Sequence, residues 1–259
     1  MIYLKMTLPE YIKNPMGKEN AVFSQRNMYK DLYESKFSKV MLREGGLLKY
    51  CLYQSGKNKY LIHLKIPSEV IEKFYYDTVI EFYSNDPAEL LSQSLNGYSV
   101  KFYSNDPAFV YTYAYSFKKN KLFIDDLAPK MSKIALTEKA DIKNPKNLVG
   151  YVKSIFFAYI YMHAHGLDKK STWVNVRNYD KNELLATIMD ADTKVALRQK
   201  AGAALPKIEK PSAKRTPGGK FTPIKHISGN GNSETRIRNT RKVKMAGSTV
   251  HNVRTVKRK

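Results

Sequence analysis

Two histidines, His163 and His165, are the only imidazoles of this 259-residue chain that lie close together in sequence. Side chains two positions apart on a helix point roughly 200° away from each other, so this pair cannot hold one metal ion from a helix. A histidine near the C-terminal end of a helix also interacts favourably with the helix dipole. We therefore expect a structural pair, and we predict that the protein holds no metal ion and no other cofactor.

The single cysteine, Cys51, is the one candidate thiol nucleophile. It excludes an intramolecular disulfide and a multi-thiolate zinc site within this chain. No histidine is close to it in sequence, although a distant one such as His163 could approach it in the fold. A lone cysteine in a strand-like run is typical of a small core residue. The low cysteine content fits a reducing compartment, or a virus particle assembled in one.

Catalytic motifs are missing where an enzyme would need them. The carboxylates of the Asp125-Asp126 pair and of Asp190 and Asp192 lie in polar surroundings, which favours caps and solvated charges over ligands of two metal ions. The segment 217–220, Pro-Gly-Gly-Lys, lacks the G-x-x-x-x-G-K-[ST] frame of a phosphate-binding loop. No G-x-S-x-G or H-E-x-x-H motif occurs. The sequence predicts a protein that is not an enzyme.

Basic side chains near the C-terminus are the strongest signal of a binding function. The chain has a net charge of +22, and residues 203–259 hold fifteen lysine and arginine residues against two glutamates. Charge placed so unevenly is typical of a tail that contacts nucleic acid, although a merely solubilising tail is the alternative. The residues predicted to contact phosphates are Lys214, Arg215, Lys220, Arg236, Arg238, Arg241, Lys242, Lys244, Arg254, Lys257, Arg258 and Lys259.

The same tail is poor in large apolar side chains, so it cannot offset the entropy of ordering by itself. Short runs such as Arg236-Ile237-Arg238 alternate apolar and basic residues, which would let extended pieces join a partner's sheet edge while the cations meet phosphates. The sequence therefore predicts an α+β body at 1–205 and an extended basic tail at 206–259. The body is expected to contain a small antiparallel sheet and a central buried helix.

Composition supports a folded body without a membrane anchor. Apolar residues make up 42% of the chain and aromatic residues 12%, enough for a real core. The most apolar stretch, Ile155–Met162, is far shorter than the roughly 20 residues that a membrane-spanning helix needs. The N-terminus has no long apolar region and reaches Pro9 early, which argues against a signal peptide. We expect a soluble protein with no membrane partner.

The first half of the body is predicted to contain two helices and then a series of strands. Thr7 and Glu10 form a capping box, so a short helix should begin at Leu8 and end before Asn14-Pro15. Apolar spacing predicts a second helix over Ser24–Phe37. The predicted strands are Val40–Arg43, Leu47–Gln54, Lys59–Ile66, Asp77–Tyr83 and Lys121–Asp125.

A seven-residue segment occurs twice, as Phe82–Ala88 and again, identically, as Phe102–Ala108. Each copy should end a strand and open a helix, over Glu89–Leu95 and Phe109–Phe117, because Asn or Asp caps the free amides and Pro suits the first turn. A helix start can also bind an anion, but the Asp carboxylate of each copy would already occupy that place. We interpret the repeat as a strand-to-helix boundary. The pattern of residues 109–115 fits a helix or a strand.

The second half is predicted to be helical. Asn144-Pro145 should start the central buried helix, and Gly166 should end it as a C-cap. Asp180, with Glu183 three residues later, predicts the start of another helix. A more polar helix follows near Thr193–Lys200, and the body should end around residues 204–206.

Three stretches resemble proteins encoded by phages of low-G+C hosts: Glu10–Gly17, Lys59–Ser68 and Asn105–Ala108. The resemblance covers parts of residues 1–165 and is to phage structural (virion) proteins in general character. It carries no catalytic residues to this chain. What it implies is a subunit that packs in an oligomeric assembly.

Two functional hypotheses follow from charge and resemblance together. The first is a phage structural or virion-associated protein whose body packs against other subunits and whose tail contacts the genome or a neighbour. The second is a DNA- or RNA-binding accessory protein of the host cytoplasm. The expected location is accordingly the virion or the host cytoplasm, and the expected partners are nucleic acid, other virion subunits, or both.

Overall fold

A computed structural model describes residues 6–13, 27–43, 45–140, 144 and 148–203 of the chain. It confirms the α+β fold class, with helices on both sides of one sheet. The predicted body–tail boundary at 205/206 and the whole predicted tail lie outside the described residues. So does the predicted end of the body around residues 204–206.

Strands and helices alternate irregularly along the body. Helix α1 covers Leu8–Lys13. Helix α2 runs from residue 27, through a π-helical turn at Tyr33–Phe37, to Ser38–Arg43. The other elements are β1 Tyr50–Ser55, β2 Lys59–Pro67, β3 Tyr75–Tyr83, α3 Pro87–Leu91, β4 Ser99–Ser104, α4 (107–119, with a π-helical turn at Phe109–Tyr113 before Ala114–Lys119), a 3₁₀ turn at Asp125–Lys130, α5 Lys133–Thr137, α6 Lys153–Ala164, a 3₁₀ turn at Lys170–Thr172, β5 Arg177–Asn178, α7 Lys181–Thr187 and α8 Ala191–Ala203.

The sheet has five strands in the order β4-β3-β2-β1-β5. Strands β1 to β4 pair antiparallel with their neighbours, as the sequence predicts, with Leu52 opposite Ile62 and Ile80 opposite Phe102. Strand β5 was not predicted. It pairs parallel with β1, which makes the sheet mixed.

The two faces of the sheet differ in chemistry because side chains alternate along each strand. One face is mainly apolar and packs against α6, where the Ser104 and Ser154 hydroxyls lie 3.1 Å apart. The other face carries charged side chains and is covered by the Asp125–Lys130 turn and by α7. On that face Lys65 Nζ donates to the carbonyl of Thr187 at 3.3 Å.

Several helix boundaries follow from local capping, as predicted. The Thr7 amide donates to Glu10 Oε2 at 2.8 Å, and the Glu10 amide donates to Thr7 Oγ1 at 3.3 Å. Asp180 Oδ1 accepts from the amides of Asn182 and Glu183 at the start of α7. The Thr7–Glu10 capping box and the Asp180 N-cap satisfy amides that a helix start would otherwise leave without partners.

Gly166 ends α6, as predicted, with a backbone φ of +65°. Its amide donates to the carbonyl of His163 at 3.2 Å, and the next amide, of Leu167, donates to Met162 at 2.8 Å. This pair of bonds is a Schellman motif, which requires a residue in the left-handed conformation.

The predicted strand Val40–Arg43 is wrong, because these residues form the last turns of α2. Phe37, Val40 and Met41 are buried at helical spacing, so tertiary packing selects a helix for a run that could also form a strand. Residues 24–26 of the predicted second helix lie outside the described residues.

The predicted strand Lys121–Asp125 is also wrong in extent. Only Phe123 forms a bridge, parallel to Phe102 of β4, and the chain then enters a 3₁₀ turn. The Phe102 amide donates to Leu122, and the Ile124 amide donates to Phe102. The segment therefore covers the outer edge of β4 without becoming a sixth strand.

The central helix is buried as predicted, but it begins at Lys153 rather than at Asn144-Pro145. Asn144 instead holds a loop, because its Oδ1 accepts from the Leu148 amide at 3.0 Å and its Nδ2 donates to the carbonyl of Thr112 at 3.1 Å. Pro145 itself lies outside the described residues.

The repeat does end a strand and open a helix in both copies. In each, the Asp side chain caps the helix, with Ala88 N donating to Asp86 at 2.9 Å and Ala108 N donating to Asp106 at 2.8 Å. Helix α3 starts and ends earlier than predicted, at Pro87 and Leu91. Residues 109–115, for which helix and strand were both open, are helical.

Candidate functional site

The twelve basic residues predicted to contact phosphates all belong to the tail, outside the described residues. The other side chains that the sequence singled out are placed by the structure. The functional geometry therefore comes from the body, where the polar side chains fall into four groups.

The two histidines at the end of α6 have different partners. His163 is stacked on Tyr159, and its Nδ1 lies 3.8 Å from Asp168 Oδ2. His165 packs against the ring of Tyr161 at 4.2 Å between centroids. Within the described residues, no group of three or more histidine, cysteine or acidic side chains could hold a metal ion.

Asp126 is the centre of an ion-pair cluster, not a helix cap. Its Oδ2 accepts from the Tyr179 hydroxyl at 2.6 Å, and its two oxygens lie 3.4 Å and 3.5 Å from Lys59 Nζ and Lys181 Nζ. The hydrogen bond from Tyr179, with help from the two lysines, lowers the pKa of Asp126. The cluster links β2 to the Asp125–Lys130 turn and to α7. It therefore holds these two segments against the charged face of the sheet.

Asp125 and Asp190 also form ion pairs, with Lys101 at 3.6 Å and with Lys130 at 3.7 Å. Asp192 lies in the first turn of α8, where a negative charge suits the helix dipole. These carboxylates act as surface charges that help to position the segments covering the sheet.

A buried polar cluster surrounds Asp77 on the charged face. His63 Nε2 lies 2.8 Å from Asp77 Oδ1, Lys65 also contacts Oδ1, and Asn105 Nδ2 donates to Oδ2 at 2.9 Å. Burial alone raises the pKa of Asp77, but the hydrogen bonds and charges of His63 and Lys65 outweigh it and lower the pKa to about 2. Every oxygen of this carboxylate is occupied.

Cys51 lies directly opposite His63 in the β1–β2 pairing, a neighbour that the sequence did not suggest. A thiol, an imidazole and the Asp77 carboxylate thus follow one another across three strands. The His63 side chain is only 3% exposed, and neither of the two cavities described below is lined by any of the three. His63 and Asp77 are buried and Cys51 is half-buried, which suits a structural network.

A cavity of about 480 Å³ lies between the helices and the end of the sheet. It lies where β2 ends and where α4 and α6 begin. Its lining residues are Tyr29, Leu32, Ile66, Pro67, Ser68, Glu69, Val70, Tyr76, Asp106, Pro107, Ala108, Tyr111, Thr112, Lys153, Ser154, Phe157 and Arg198. We call it the Glu69 cavity.

Asp106 brings a buried carboxylate to the Glu69 cavity through the second copy of the repeat. Burial raises the pKa of Asp106, and the amide of Ala108, the charge of Lys153 and the hydroxyl of Ser154 only partly offset it. In the first copy the corresponding Asp86 is exposed. Identical sequence thus gives identical capping in different surroundings.

The charges that line the Glu69 cavity are separated by depth. Glu69, whose side chain is 11% exposed, lies 3.4 Å from Lys153 Nζ through its Oε2 atom. The Glu69 Oε1 atom is buried and has no hydrogen-bond partner among the described residues. Lys153 is 35% exposed, and the exposed Arg198 donates from Nε to the Tyr76 hydroxyl at 2.8 Å. Carboxylates therefore occupy the interior and cations the opening.

A second cavity of about 350 Å³ adjoins the first and shares Tyr111 and Thr112 with it. Helix α5 and Asp192 of α8 form its far side. Its charged side chains, Glu138, Lys139 and Asp192, are exposed. It offers no buried charge comparable to Glu69.

Sequence reasoning singled out Asp106 through the repeat but missed Glu69, Lys153 and Arg198. Glu69 and Lys153 are 84 positions apart and come together only in the fold. The one local signal was the pair Ser68-Glu69 at the end of a strand. That signal does not differ from an ordinary polar loop.

Among the described residues, no helix is both long and apolar enough to cross a membrane. Comparison of the chain with family models, curated proteins and solved structures found no match in any of the three. The function of this protein must therefore be inferred from its own residues, chiefly the basic tail and the Glu69 cavity.

Proposed function

We propose that this chain is a non-enzymatic structural protein that binds nucleic acid through its basic tail and packs in an assembly through its α+β body. The observation that carries the proposal is the distribution of charge. Residues 203–259 hold fifteen basic residues against two acidic ones. Lysine and arginine that neutralise phosphates release condensed counterions, which gives affinity without sequence specificity.

The ion pairs of the body support the tail as the contact with polyanions. Lysines of the sheet and its flanking segments are balanced by nearby carboxylates, so they attract phosphates less strongly. The pairs are Lys59–Glu81 at 2.9 Å, Lys101–Asp125 at 3.6 Å, Lys130–Asp190 at 3.7 Å and Lys181–Asp126 at 3.5 Å. The tail holds too few acidic residues for such balance.

Exposed apolar side chains support packing against other subunits. Leu42 and Leu47 flank the Gly45-Gly46 turn and are 74% and 66% exposed. Two large apolar side chains on one turn gain free energy when a neighbour covers them. The resemblance to phage virion proteins makes such an assembly the expected setting, with the tail directed to the genome or to a neighbouring subunit.

The proposal is tested by the assembly state of the full chain with and without nucleic acid. Sedimentation velocity should show self-association that the double variant Leu42→Lys and Leu47→Lys weakens. Fluorescence anisotropy should show binding to duplex DNA and to single-stranded RNA with similar affinity. A monomer that binds tightly and does not self-associate would replace the assembly role with that of an accessory protein. A chain that binds neither nucleic acid at low salt would contradict the proposal.

A further inference from the structure

Glu69 is a charged group with an unmet hydrogen bond. Its Oε1 atom is buried without a partner among the described residues, while its Oε2 atom is 3.4 Å from Lys153. Burying a carboxylate oxygen without a donor costs free energy. The cost is greater than for a neutral hydroxyl, such as the buried hydroxyls of Tyr53 and Tyr98, which also have no partner among the described residues. Glu69 lines the cavity, and a rotation about its soft terminal torsion would turn this oxygen toward a ligand N–H group and remove that cost.

Rings and apolar side chains form much of the wall around Glu69. Tyr29, Tyr76, Tyr111 and Phe157 line the same cavity of about 480 Å³. A volume in this range suits one small organic molecule. Aromatic walls favour a planar ring, because any nucleobase can stack on an aromatic side chain.

The cations lie nearer to solvent than the carboxylates. The Arg198 guanidinium uses its Nε–H on Tyr76, which leaves the planar fork of Nη–H groups suited to a phosphate. Lys153 adds a second cation on the same cavity. The buried Asp106 carboxylate would repel a phosphate in the interior. An anionic group is therefore favoured at the opening and a hydrogen-bond donor inside.

We infer that the Glu69 cavity binds a nucleoside monophosphate group whose base carries an exocyclic amino group, with the base inside and the phosphate at Lys153 and Arg198. A Glu carboxylate accepts from the amino group of cytosine. Uracil instead has a carbonyl on each side of its one ring N–H. These carbonyl oxygens are acceptors, so they would repel the Glu69 carboxylate. This inference does not depend on the tail. The group could be a free nucleotide or the 5′ end of a strand.

Isothermal titration of the full chain with cytidine 5′-monophosphate, uridine 5′-monophosphate and inorganic phosphate at physiological ionic strength tests this inference. We expect cytidine monophosphate to bind at least tenfold more tightly than either of the others. A 5′-phosphorylated oligocytidylate separates the two sources. If the oligocytidylate binds, per 5′ end, as tightly as cytidine monophosphate, the site takes strand ends. If it binds much more weakly, the site takes free nucleotides.

Variants place the ligand. Glu69→Gln should weaken binding of cytidine monophosphate at least tenfold, whereas Glu72→Gln, an exposed carboxylate on the same loop, should leave it unchanged. A variant with the twelve predicted tail residues changed to Gln should keep the preference for cytidine. Equal binding of both nucleotides, unaffected by Glu69→Gln and lost with the tail charges, would overturn the inference and leave the tail as the nucleotide contact. Absence of any nucleotide binding would overturn it too, without touching the proposed role of the tail.

Discussion

Asn85 and Asn105 hold the same position in the two copies of one seven-residue segment, yet the fold treats them differently. Asn105 is fully buried. It accepts from the Asp77 amide at 2.7 Å and donates to Asp77 Oδ2 at 2.9 Å and to the carbonyl of Met189 at 3.2 Å. Asn85 is exposed, and its Oδ1 atom accepts one hydrogen bond among the described residues, from Asn58 Nδ2 at 3.4 Å. For these two asparagines, burial and not the local sequence decides which hydrogen bonds the side chain makes.

Asn105→Ala should therefore lower the free energy of unfolding by about 3 kcal/mol, because it leaves the buried Asp77 amide and the Asp77 Oδ2 atom without partners. Asn85→Ala, the matched control, should change it by less than about 0.5 kcal/mol. Urea denaturation of both variants gives the comparison. Equal effects in the two copies would show that the buried network around Asp77 contributes little.

Asp77 gives the fold a defined acid sensitivity. Its folded pKa, about 2, is below that of an unfolded aspartate, so its contribution is fully present above about pH 5 and is lost as pH falls toward 2. The contribution is about 2 kcal/mol. The difference in free energy of unfolding between the native chain and Asp77→Asn should therefore become smaller as the pH falls from about 5 toward 2. A difference in stability that stays constant from pH 6 to pH 2 would contradict the assignment.

At the scale of the element, local capping could be predicted and long-range pairing could not. The Thr7–Glu10 box and the Gly166 cap depend on residues within one or two turns, so the sequence alone identifies them. The segment 40–43 fits either a helix or a strand by its sequence, and only the burial of Val40 and Met41 selects the helix. Strand β5 has two exposed residues and exists through its pairing with β1.

The candidate site was less predictable than the fold for the same reason. Asp106 could be noticed because its segment is repeated. Glu69, Lys153 and Arg198 carry no local pattern, and they come together only when β2, α6 and α8 have packed. The tail is the opposite case, since its charge can be read directly from composition.

Gly166→Ala should destabilise the protein by about 1 kcal/mol, because the C-cap of α6 needs a φ of +65° that disfavours a Cβ atom. The same change at Gly202 is the control. No heavy atom lies within 4 Å of a Cβ built there, and the residue is helical in α8, so Ala should stabilise by up to about 1 kcal/mol. Thermal unfolding of the two variants should shift in opposite directions. If Gly166→Ala stabilises the protein as Gly202→Ala does, the positive φ at the cap of α6 does not penalise a Cβ atom.

At the scale of the whole molecule, charge is segregated along the chain. Of the net charge of +22, the last 57 residues supply +13, from fifteen basic and two acidic side chains. The body holds the remaining basic excess among many ion pairs. The exposed apolar side chains and the two cavities belong to the body. This division favours a protein that recognises other molecules by shape with its body and by charge with its tail.

The most direct test is the salt dependence of nucleic-acid binding by the full chain and two charge-matched variants. One variant changes the twelve predicted tail residues to Gln. The control changes twelve exposed lysines of the body to Gln: Lys13, Lys30, Lys36, Lys39, Lys49, Lys57, Lys73, Lys118, Lys119, Lys133, Lys169 and Lys200.

We expect the full chain and the body variant to lose roughly 10³- to 10⁵-fold in affinity for duplex DNA between about 50 and 200 mM salt, as six to ten phosphate contacts predict. The tail variant should bind weakly at every salt concentration, with a shallow slope. If instead the body variant loses binding and the tail variant keeps the steep slope, the phosphate contacts are on the folded body, and the central claim about the tail is wrong.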